Sequence, residues 1–364
     1  MNTYKLLTPG PLTTTAAVKN EMLEDRCTWD NDYKQVTQTI RKQLVDLAQA
    51  EETEYTTVLM QGSGSFVVES VLTTAIGDND KLLILTNGAY GERIAEMAKT
   101  LQIQHVVYSV PYNEQPSHVE VQEYLQNDSA ITHVAVVHCE TTTGMLNPIA
   151  EIGKVVKEFG KTYIVDAMSS FGGVPMDVPS LQIDYLISSA NKCVQGVPGF
   201  GFVIAKIEAL EKCEGQAKSV ALDLYSQWKV MKVDGKWRFT SPTHVVAAFA
   251  KALEELIKEG GVQARYNRYA KNNEIVRTRL AAVGFEAYIT EDQQSPIITT
   301  FLFPYEGFSF EHFYNEMKNG GFVIYPGKLT DFDTFRIGNI GDVNEEDMNA
   351  LCEIIENYMA VNTK

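Results

Sequence analysis

Several features that are common in other protein classes are missing from this chain. Its 364 residues include only five cysteines, an odd number without a Cys-x-x-Cys pair, which argues against a disulfide framework or a structural zinc site. The six histidines form no HExxH motif or clustered ligand set, so no metal site is expected. No stretch approaches the roughly 20 apolar residues of a membrane span. The start of the chain, Met1–Pro11, lacks the apolar core of a signal peptide. We therefore expect a cytoplasmic, reducing location.

An excess of basic residues is also missing. The chain has 31 Lys and Arg against 47 Asp and Glu, a net charge of -16. Nucleic-acid and acidic-membrane binding both need a basic field, so neither is expected. A local cationic pocket for an anionic substrate is still compatible with this charge. The 45% hydrophobic content is ordinary for a globular protein with one large domain or two moderate ones.

Short apolar runs alternate with helical patterns such as Phe66–Ile76, Tyr90–Leu101 and Ile149–Phe159. Several of these runs are apolar without alternation, as in strands that are covered on both faces. The alternation predicts an α/β fold with a mostly parallel, seven-stranded sheet and right-handed crossovers. The predicted strands are Thr56–Met60, Lys81–Thr86, His105–Val110, His133–His138, Thr162–Asp166, Tyr185–Ser188 and Gly201–Ala205.

The last two predicted strands are joined by a loop rich in Gly and Pro, with no helix between them. This pattern predicts an antiparallel step that places Lys192 on a loop. Long helices are predicted over 242–259 and 262–283, and an α+β pattern follows Gly284. Its strands are predicted near Ile297–Phe303, Phe322–Tyr325 and Thr334–Ile337, and its helices over Phe310–Asn319 and Asn344–Val361. We therefore expect a large domain over residues 1–261 and a smaller α+β domain over 262–364.

Lys192 stands among small polar residues just after a predicted strand, and Asp166 ends another. A lysine in such a place is what a Schiff base to pyridoxal phosphate requires. An aspartate at a neighbouring strand end would pair with the protonated pyridine nitrogen and keep the ring an electron sink. Taken singly, a solvated lysine and a helix-capping aspartate are the more ordinary interpretations.

Three further turns follow predicted strands. The first, Gln61–Ser65, contains Gly-Ser-Gly-Ser and opens a helix whose amides favour an anion, although a plain turn with a Ser cap explains it equally well. Tyr90 opens the next helix, where its ring would lie on a planar cofactor or act as a helix staple. Thr141 lies in a hydroxyl-rich turn that would contact a ring oxygen or a phosphate.

Arg336 has apolar neighbours on both sides, which predicts a partly buried guanidinium that needs an anionic partner. That partner is either a substrate anion or an internal Asp or Glu. In open parallel sheets, ligands bind at the carboxyl ends of the strands. The Gly-Ser turn, Tyr90, Thr141, Asp166 and Lys192 all follow such ends, so these individually weak signals converge on one crevice.

On these residues the chain resembles the class-V, fold-type I aminotransferases over essentially its whole length, and within them the branch that acts on phosphonates. The motifs that carry the resemblance are LTPGP, DRCTWDNDY, GSGS, NGAYGER, ETTTG, VDAMSSFGG, SSANKCVQGVPGFGFV, SPT and FRIGNIG. The resemblance implies the two-domain fold-type I architecture and a pyridoxal 5'-phosphate cofactor.

The resemblance also implies a role for each candidate residue. Lys192 would be the Schiff-base lysine and Asp166 the partner of the pyridine nitrogen. Tyr90 would stack on the ring. Arg336 would bind the substrate anion. The other cofactor-binding residues implied are Ser63, Gly64, Ser65, Thr141, Asn191 and Thr243. Because Thr243 would reach the phosphate of a neighbouring subunit, a homodimer is expected.

The implied activity moves the amino group of 2-aminoethylphosphonate to pyruvate, in phosphonate degradation. An alanine–glyoxylate or serine–pyruvate aminotransferase is the alternative, because one pocket arginine does not distinguish a phosphonate from a carboxylate. A domain that only stores the cofactor or regulates is a further alternative. The presence of both Lys192 and Asp166 argues against it.

Overall fold

Seven strands form the central sheet of the protein, whose computed structural model describes residues 4–327, 329 and 331–362. The predicted domain limits at residues 1 and 364 lie outside this part of the chain. Together with the strands of the smaller sheets, the strands of the described residues are β1 (Lys5–Leu6), β2 (Tyr55–Gln61), β3 (Lys81–Thr86), β4 (Gln104–Ser109), β5 (His133–Val137), β6 (Cys139–Glu140), β7 (Met145–Leu146), β8 (Thr162–Asp166), β9 (Tyr185–Ser189), β10 (Phe200–Lys206), β11 (Ile298–Leu302), β12 (Phe322–Val323), β13 (Tyr325–Pro326) and β14 (Thr334–Gly338).

The helices pack on both faces of the sheet and around the C-terminal strands. They are α1 (Ala16–Asn20), α2 (Asn31–Leu47), α3 (Gly64–Ala75), α4 (Ala89–Thr100), α5 (His118–Asn127), α6 (Ile149–Glu158), α7 (Ile207–Glu211), α8 (Leu224–Asp234), α9 (Thr243–Glu259), α10 (Gly261–Ala282), α11 (Phe310–Asn319) and α12 (Glu345–Asn362), with short 3₁₀ turns at Glu21–Leu23 and Glu291–Gln293. None of the helices within the described residues combines the length and the apolar character that a membrane crossing requires.

The central sheet has the strand order β2-β10-β9-β8-β5-β3-β4. Strands β3, β4, β5, β8 and β9 pair in parallel, whereas β10 is antiparallel to both β9 and β2. Every residue of β5 and β9 is buried, because helices cover both faces of the sheet. The mostly parallel seven-stranded sheet and its antiparallel step, both predicted from the sequence, are confirmed.

The C-terminal part of the chain has its own three-stranded sheet, ordered β11-β14-β13. Helices α10, α11 and α12 pack against it around buried aromatic rings that include Phe285, Phe313 and Phe335. The helix break between α9 and α10 falls at Gly260 and Gly261, both at positive φ, 113° and 80°. The predicted domain limit at residue 262 lies beside this break and stays a prediction.

The predicted strand Phe322–Tyr325 is instead two short strands with different partners. Strand β12 pairs in parallel with β1, and β13 pairs with β14. The chain changes partner at Ile324, and Pro326, which lacks an N–H, limits the second ladder. As a result, the N-terminal segment is hydrogen-bonded to the C-terminal part of the fold rather than to the central sheet.

Candidate active site

A cavity of about 490 Å³ opens at the carboxyl ends of the central strands. Loops after β2, β8 and β9 and the first turns of α3 and α4 surround it, as expected for a sheet of this topology. It is lined by seven of the residues singled out from the sequence: Ser63, Gly64, Ser65, Tyr90, Asp166, Asn191 and Lys192. Three others, Thr141, Thr243 and Arg336, lie outside its lining.

Lys192 follows β9 in a tight turn that ends at Gln195, a non-glycine residue with a positive φ of 70°. The buried guanidinium of Arg265 holds this turn by donating to the carbonyls of Cys193 and Val194, at 2.9 and 3.1 Å. The Lys192 Nζ donates to the carbonyl of Pro9 at 2.7 Å. Burial lowers the pKa of Lys192, which favours the neutral, nucleophilic amine.

Asp166 ends β8 at the floor of the cavity and is only 6% exposed. One carboxylate oxygen accepts a hydrogen bond from the amide of Met168 at 2.9 Å. Its other oxygen accepts none from the described residues. Burial raises the pKa of Asp166 to about 6, and the nearby charges of Lys192 and Arg93 oppose that rise. A cationic ring nitrogen at this carboxylate would relieve the cost of burying it.

Two helix N-termini face the cavity, and only one of them is available to a ligand anion. In α3, the Ser63 side chain makes no capping bond, and the amides of Gly64 and Ser65 donate to no group among the described residues. In α4, the buried carboxylate of Glu140 already accepts from the amides of Tyr90 and Gly91, at 3.1 and 3.3 Å. Because the first amides of α4 are already bonded, α3 is the N-terminus that could receive a phosphate in this cavity.

Tyr90 lies between two guanidinium groups. The guanidinium carbon of Arg93, which lines the cavity, lies 5.0 Å from the centre of the Tyr90 ring. The Tyr90 hydroxyl also interacts with the guanidinium of Arg336. Tyr90, which also lines the cavity, therefore lies in a cationic environment.

Arg336, on β14, is 1% exposed. Its Nε donates to the carbonyl of Pro326 at 3.0 Å, and a terminal nitrogen donates to the carbonyl of Thr141 at 2.9 Å. Within the described residues no carboxylate forms an ion pair with it, so the internal ion pair considered from the sequence is not found there. Burial lowers the pKa of Arg336, and a bound anion would restore the balance of charge.

Two buried hydroxyls near the cavity have no hydrogen-bond partner among the described residues, those of Thr141 and of Ser189, which lines the cavity. Buried hydroxyls without partners are uncommon, and a polar ligand would satisfy them. Thr243 begins α9, where its hydroxyl lies 3.5 Å from Nδ1 of the adjacent His244. Its predicted contact with a neighbouring subunit stays a prediction.

Sequence reasoning missed three residues that shape this site: Arg93, Glu140 and Ser189. All three lie inside motifs that were recognised, at the end of NGAYGER, at the start of ETTTG and before the lysine. The helical spacing of Tyr90 and Arg93, three residues apart, was the available signal for Arg93.

Comparisons with known proteins agree with this geometry. The model of the family "Aminotransferase class-V" matches residues 18–327. A 2-aminoethylphosphonate–pyruvate transaminase of Lysinibacillus sphaericus is 76% identical over 361 residues, which cover 99% of each chain. The protein of the same name from Bacillus cereus is 60% identical over 97% of each chain. The crystal structure of an alanine–glyoxylate aminotransferase from Nostoc sp. shares the fold, with a TM-score of 0.91 over 98% of this chain and 95% of that chain, at 24% identity.

Proposed function

Because the chain belongs to the class-V aminotransferase family, we propose that it is a 2-aminoethylphosphonate–pyruvate transaminase. It would move the amino group of 2-aminoethylphosphonate to pyruvate and yield phosphonoacetaldehyde and L-alanine, in phosphonate degradation. The observation that carries this proposal is the 76% identity to the Lysinibacillus sphaericus protein over nearly the whole of both chains. The alanine–glyoxylate aminotransferase has only the fold in common at 24% identity, so it does not favour the alternative donor.

The family generally depends on pyridoxal phosphate, and the residues of the cavity fit that cofactor. The unpartnered amides and hydroxyls at Ser63–Ser65 would hold the phosphate, and the Asp166 carboxylate would pair with the ring nitrogen. Tyr90 would cover a ring face, and Asn191 and the orphaned Thr141 hydroxyl would supply polar contacts. Thr243 would complete the phosphate site from a second subunit. When bound, the cofactor supplies an electron sink for the substrate carbon that loses its proton.

Lys192 would move protons at its Nζ. Because burial lowers its pKa, the neutral amine would be available to take a proton from the substrate carbon and to pass it on to the cofactor carbon. Arg265 donates hydrogen bonds to the carbonyls of Cys193 and Val194, at 2.9 and 3.1 Å, and so holds the turn that carries Lys192. These bonds restrict the positions that Nζ can reach. Asp166 would remain ionised opposite a cationic ring nitrogen.

Arg336 would bind the anionic end of both substrates. A planar guanidinium offers five N–H donors, of which the carbonyls of Pro326 and Thr141 and the Tyr90 hydroxyl engage three. The two donors that are left would bind a carboxylate or a phosphonate through two of its oxygens. One arginine can therefore serve 2-aminoethylphosphonate in one half-reaction and pyruvate in the other.

A competition among amino donors tests this proposal. The purified protein, loaded with pyridoxal phosphate, is assayed with 2-aminoethylphosphonate, serine or alanine as donor and pyruvate or glyoxylate as acceptor. We expect the highest kcat/KM for 2-aminoethylphosphonate with pyruvate, and no turnover by the Lys192→Ala variant. A higher value for serine or alanine would replace the proposed donor. Cofactor binding without turnover of any donor would instead indicate a storing or regulatory role.

The predicted homodimer and cytoplasmic location belong to the proposal as well. The dimer rests on the role of Thr243, whose hydroxyl does not reach the cavity of its own chain. The simplest closed arrangement with two shared sites has two-fold symmetry.

A further inference from the structure

Glu140, at the end of β6, is a fully buried carboxylate that is not part of the lining of the active-site cavity. Both of its oxygens are occupied. Oε2 accepts from the amides of Tyr90 and Gly91, at 3.1 and 3.3 Å. Oε1 accepts from the amide and the hydroxyl of Thr142, at 3.1 and 2.7 Å. These four hydrogen bonds hold the buried carboxylate in one position.

These contacts supply the cap that α4 lacks. The residue before the helix is Gly88, which has no side chain to bond the first amides. The Thr142 hydroxyl accepts from the amide of Ala89 at 3.1 Å, so Glu140 and Thr142 together satisfy the first three amides of the helix. A Cβ atom on Gly88 would lie 2.4 Å from the Glu140 side chain, which is too close for two carbon atoms. Glu140 can therefore occupy this position only because residue 88 is a glycine.

The other side of the same loop is bonded to the C-terminal sheet. The Thr141 carbonyl accepts from Arg336 at 2.9 Å. The Thr142 carbonyl accepts from the Thr300 hydroxyl at 3.2 Å. The segment 140–142 therefore connects the helix that carries Tyr90 to the strand that carries Arg336.

We propose that Glu140 is a positioning residue that sets Tyr90 and Arg336 at their working separation, and through them the binding of cofactor ring and substrate anion. This inference rests on the proposed function. It differs from a plain helix cap because the loop that Glu140 anchors makes a direct hydrogen bond to the guanidinium of Arg336.

Charge and position predict opposite effects when the carboxylate is neutralised. The negative charge of Glu140 is near enough to influence both Arg336 and Asp166. If charge alone mattered, its removal would leave the site more positive and strengthen the binding of anions. If position matters, the displaced loop weakens the grip of Arg336 on those anions. The sign of the change in KM therefore separates the two mechanisms.

The test is Glu140→Gln. The amide keeps one accepting oxygen, and its NH₂ must face one of the two pairs of donors, so at least one hydrogen bond from a backbone N–H is lost. We expect the KM of both 2-aminoethylphosphonate and pyruvate to rise at least about tenfold. The Kd of pyridoxal phosphate for the apoprotein, measured by titration, should rise too, and the circular dichroism of the bound cofactor should change as Tyr90 shifts.

Ser309→Ala is the matched control, because the Ser309 hydroxyl caps α11 by accepting from His312 at 3.2 Å. It should lower the Tm of the apoprotein without changing either KM. If Glu140→Gln behaves in the same way, or lowers the KM values, the positioning role is wrong. Should Glu140→Gln not fold, Thr142→Val, which keeps the carboxylate but removes its shortest contact, must raise the same KM values for the proposal to stand.

Failure of the proposed function would be recognised separately. If the wild-type protein does not transaminate 2-aminoethylphosphonate, the donor assignment is wrong. The cofactor Kd and dichroism still test Glu140, since neither needs that donor. Unchanged values of both in Glu140→Gln would overturn the inference whatever the substrate is.

Discussion

Replacing Asp166 by Asn should stabilise the cofactor-free protein at neutral pH while it removes most of the activity. The two side chains have nearly the same shape, and Asn keeps the oxygen that accepts from the Met168 amide at 2.9 Å. The Asn side chain carries no charge, so the cost of burying an ionised group disappears. In the loaded enzyme the same change would remove the proposed partner of the ring nitrogen, and we expect a loss of several orders of magnitude in rate.

The size of the stabilisation follows from the pKa of Asp166. Its folded value, about 6, lies above its ordinary value of 3.8 because the carboxyl is buried. The folded state therefore holds the proton more tightly than the unfolded state. The stability contributed by this group is complete below pH 4 and is lost as the pH rises through about 6. The difference between the two values corresponds to about 3 kcal/mol.

The assay is urea unfolding of both apoproteins from pH 4 to pH 8, which gives the free energy of unfolding at each pH. The difference, Asp166→Asn minus wild type, should increase by about 2.5 kcal/mol across this range, because the unfolded carboxyl is already partly ionised at pH 4. Asp292→Asn, at an exposed position, should show no such increase. Parallel profiles for wild type and Asp166→Asn would refute the burial argument. Near wild-type transamination by Asp166→Asn would show that Asp166 only holds the turn at Met168.

Three other outcomes are expected. Arg336→Lys keeps a charge but loses the planar fork, and should raise the KM of both substrates about tenfold to hundredfold, since each hydrogen bond to a charged group contributes about 1.5–3 kcal/mol; unchanged KM values would place the anion elsewhere. Borohydride reduction of the loaded protein followed by peptide mapping should label Lys192, and a label on another lysine would contradict its role. Thr243→Val should weaken pyridoxal phosphate binding in a protein that sediments as a dimer, whereas a fully active monomer would exclude a shared site.

The sheet could be predicted because its strands are buried on both faces. Runs such as Tyr163–Val165 and Tyr185–Ile187 are apolar at successive positions. Strands that are covered on both faces of the sheet need this pattern, because their side chains point alternately to the two faces. The antiparallel β10 could be predicted because no helix separates it from β9, and a parallel crossover needs one. The change of partner at Ile324 could not be predicted, because it depends on β1, which is more than three hundred residues away in sequence.

The candidate site could be predicted in part for a related reason. Residues that end parallel strands, such as Asp166 and those of the Gly-Ser turn, meet at one edge of the sheet whatever the details of packing. The contacts of Glu140 follow no such rule, since its carboxylate reaches the amides of Tyr90 and Gly91 from a loop about fifty residues later. The Pro9 carbonyl on Lys192 is likewise a contact between segments that no local pattern connects.

The arginines indicate how an acidic protein keeps a site for anions. Six of the nine arginines form ion pairs with carboxylates among the described residues: Arg26, Arg238, Arg265, Arg268, Arg277 and Arg279.

Of the remaining three, Arg41 is buried but bonded to neutral acceptors, including the Thr57 carbonyl at 2.8 Å. The other two, Arg93 and Arg336, both border Tyr90. A net charge of -16 repels a phosphonate or a phosphate at long range, and screening limits that repulsion to about 10 Å at 0.1 M salt. Within that distance, Arg93 and Arg336, which form no ion pair with a carboxylate among the described residues, supply positive charge that opposes the nearby carboxylates Glu140 and Asp166. Arg93 and Arg336 therefore both place positive charge beside Tyr90, where the proposed cofactor and substrate anions would bind.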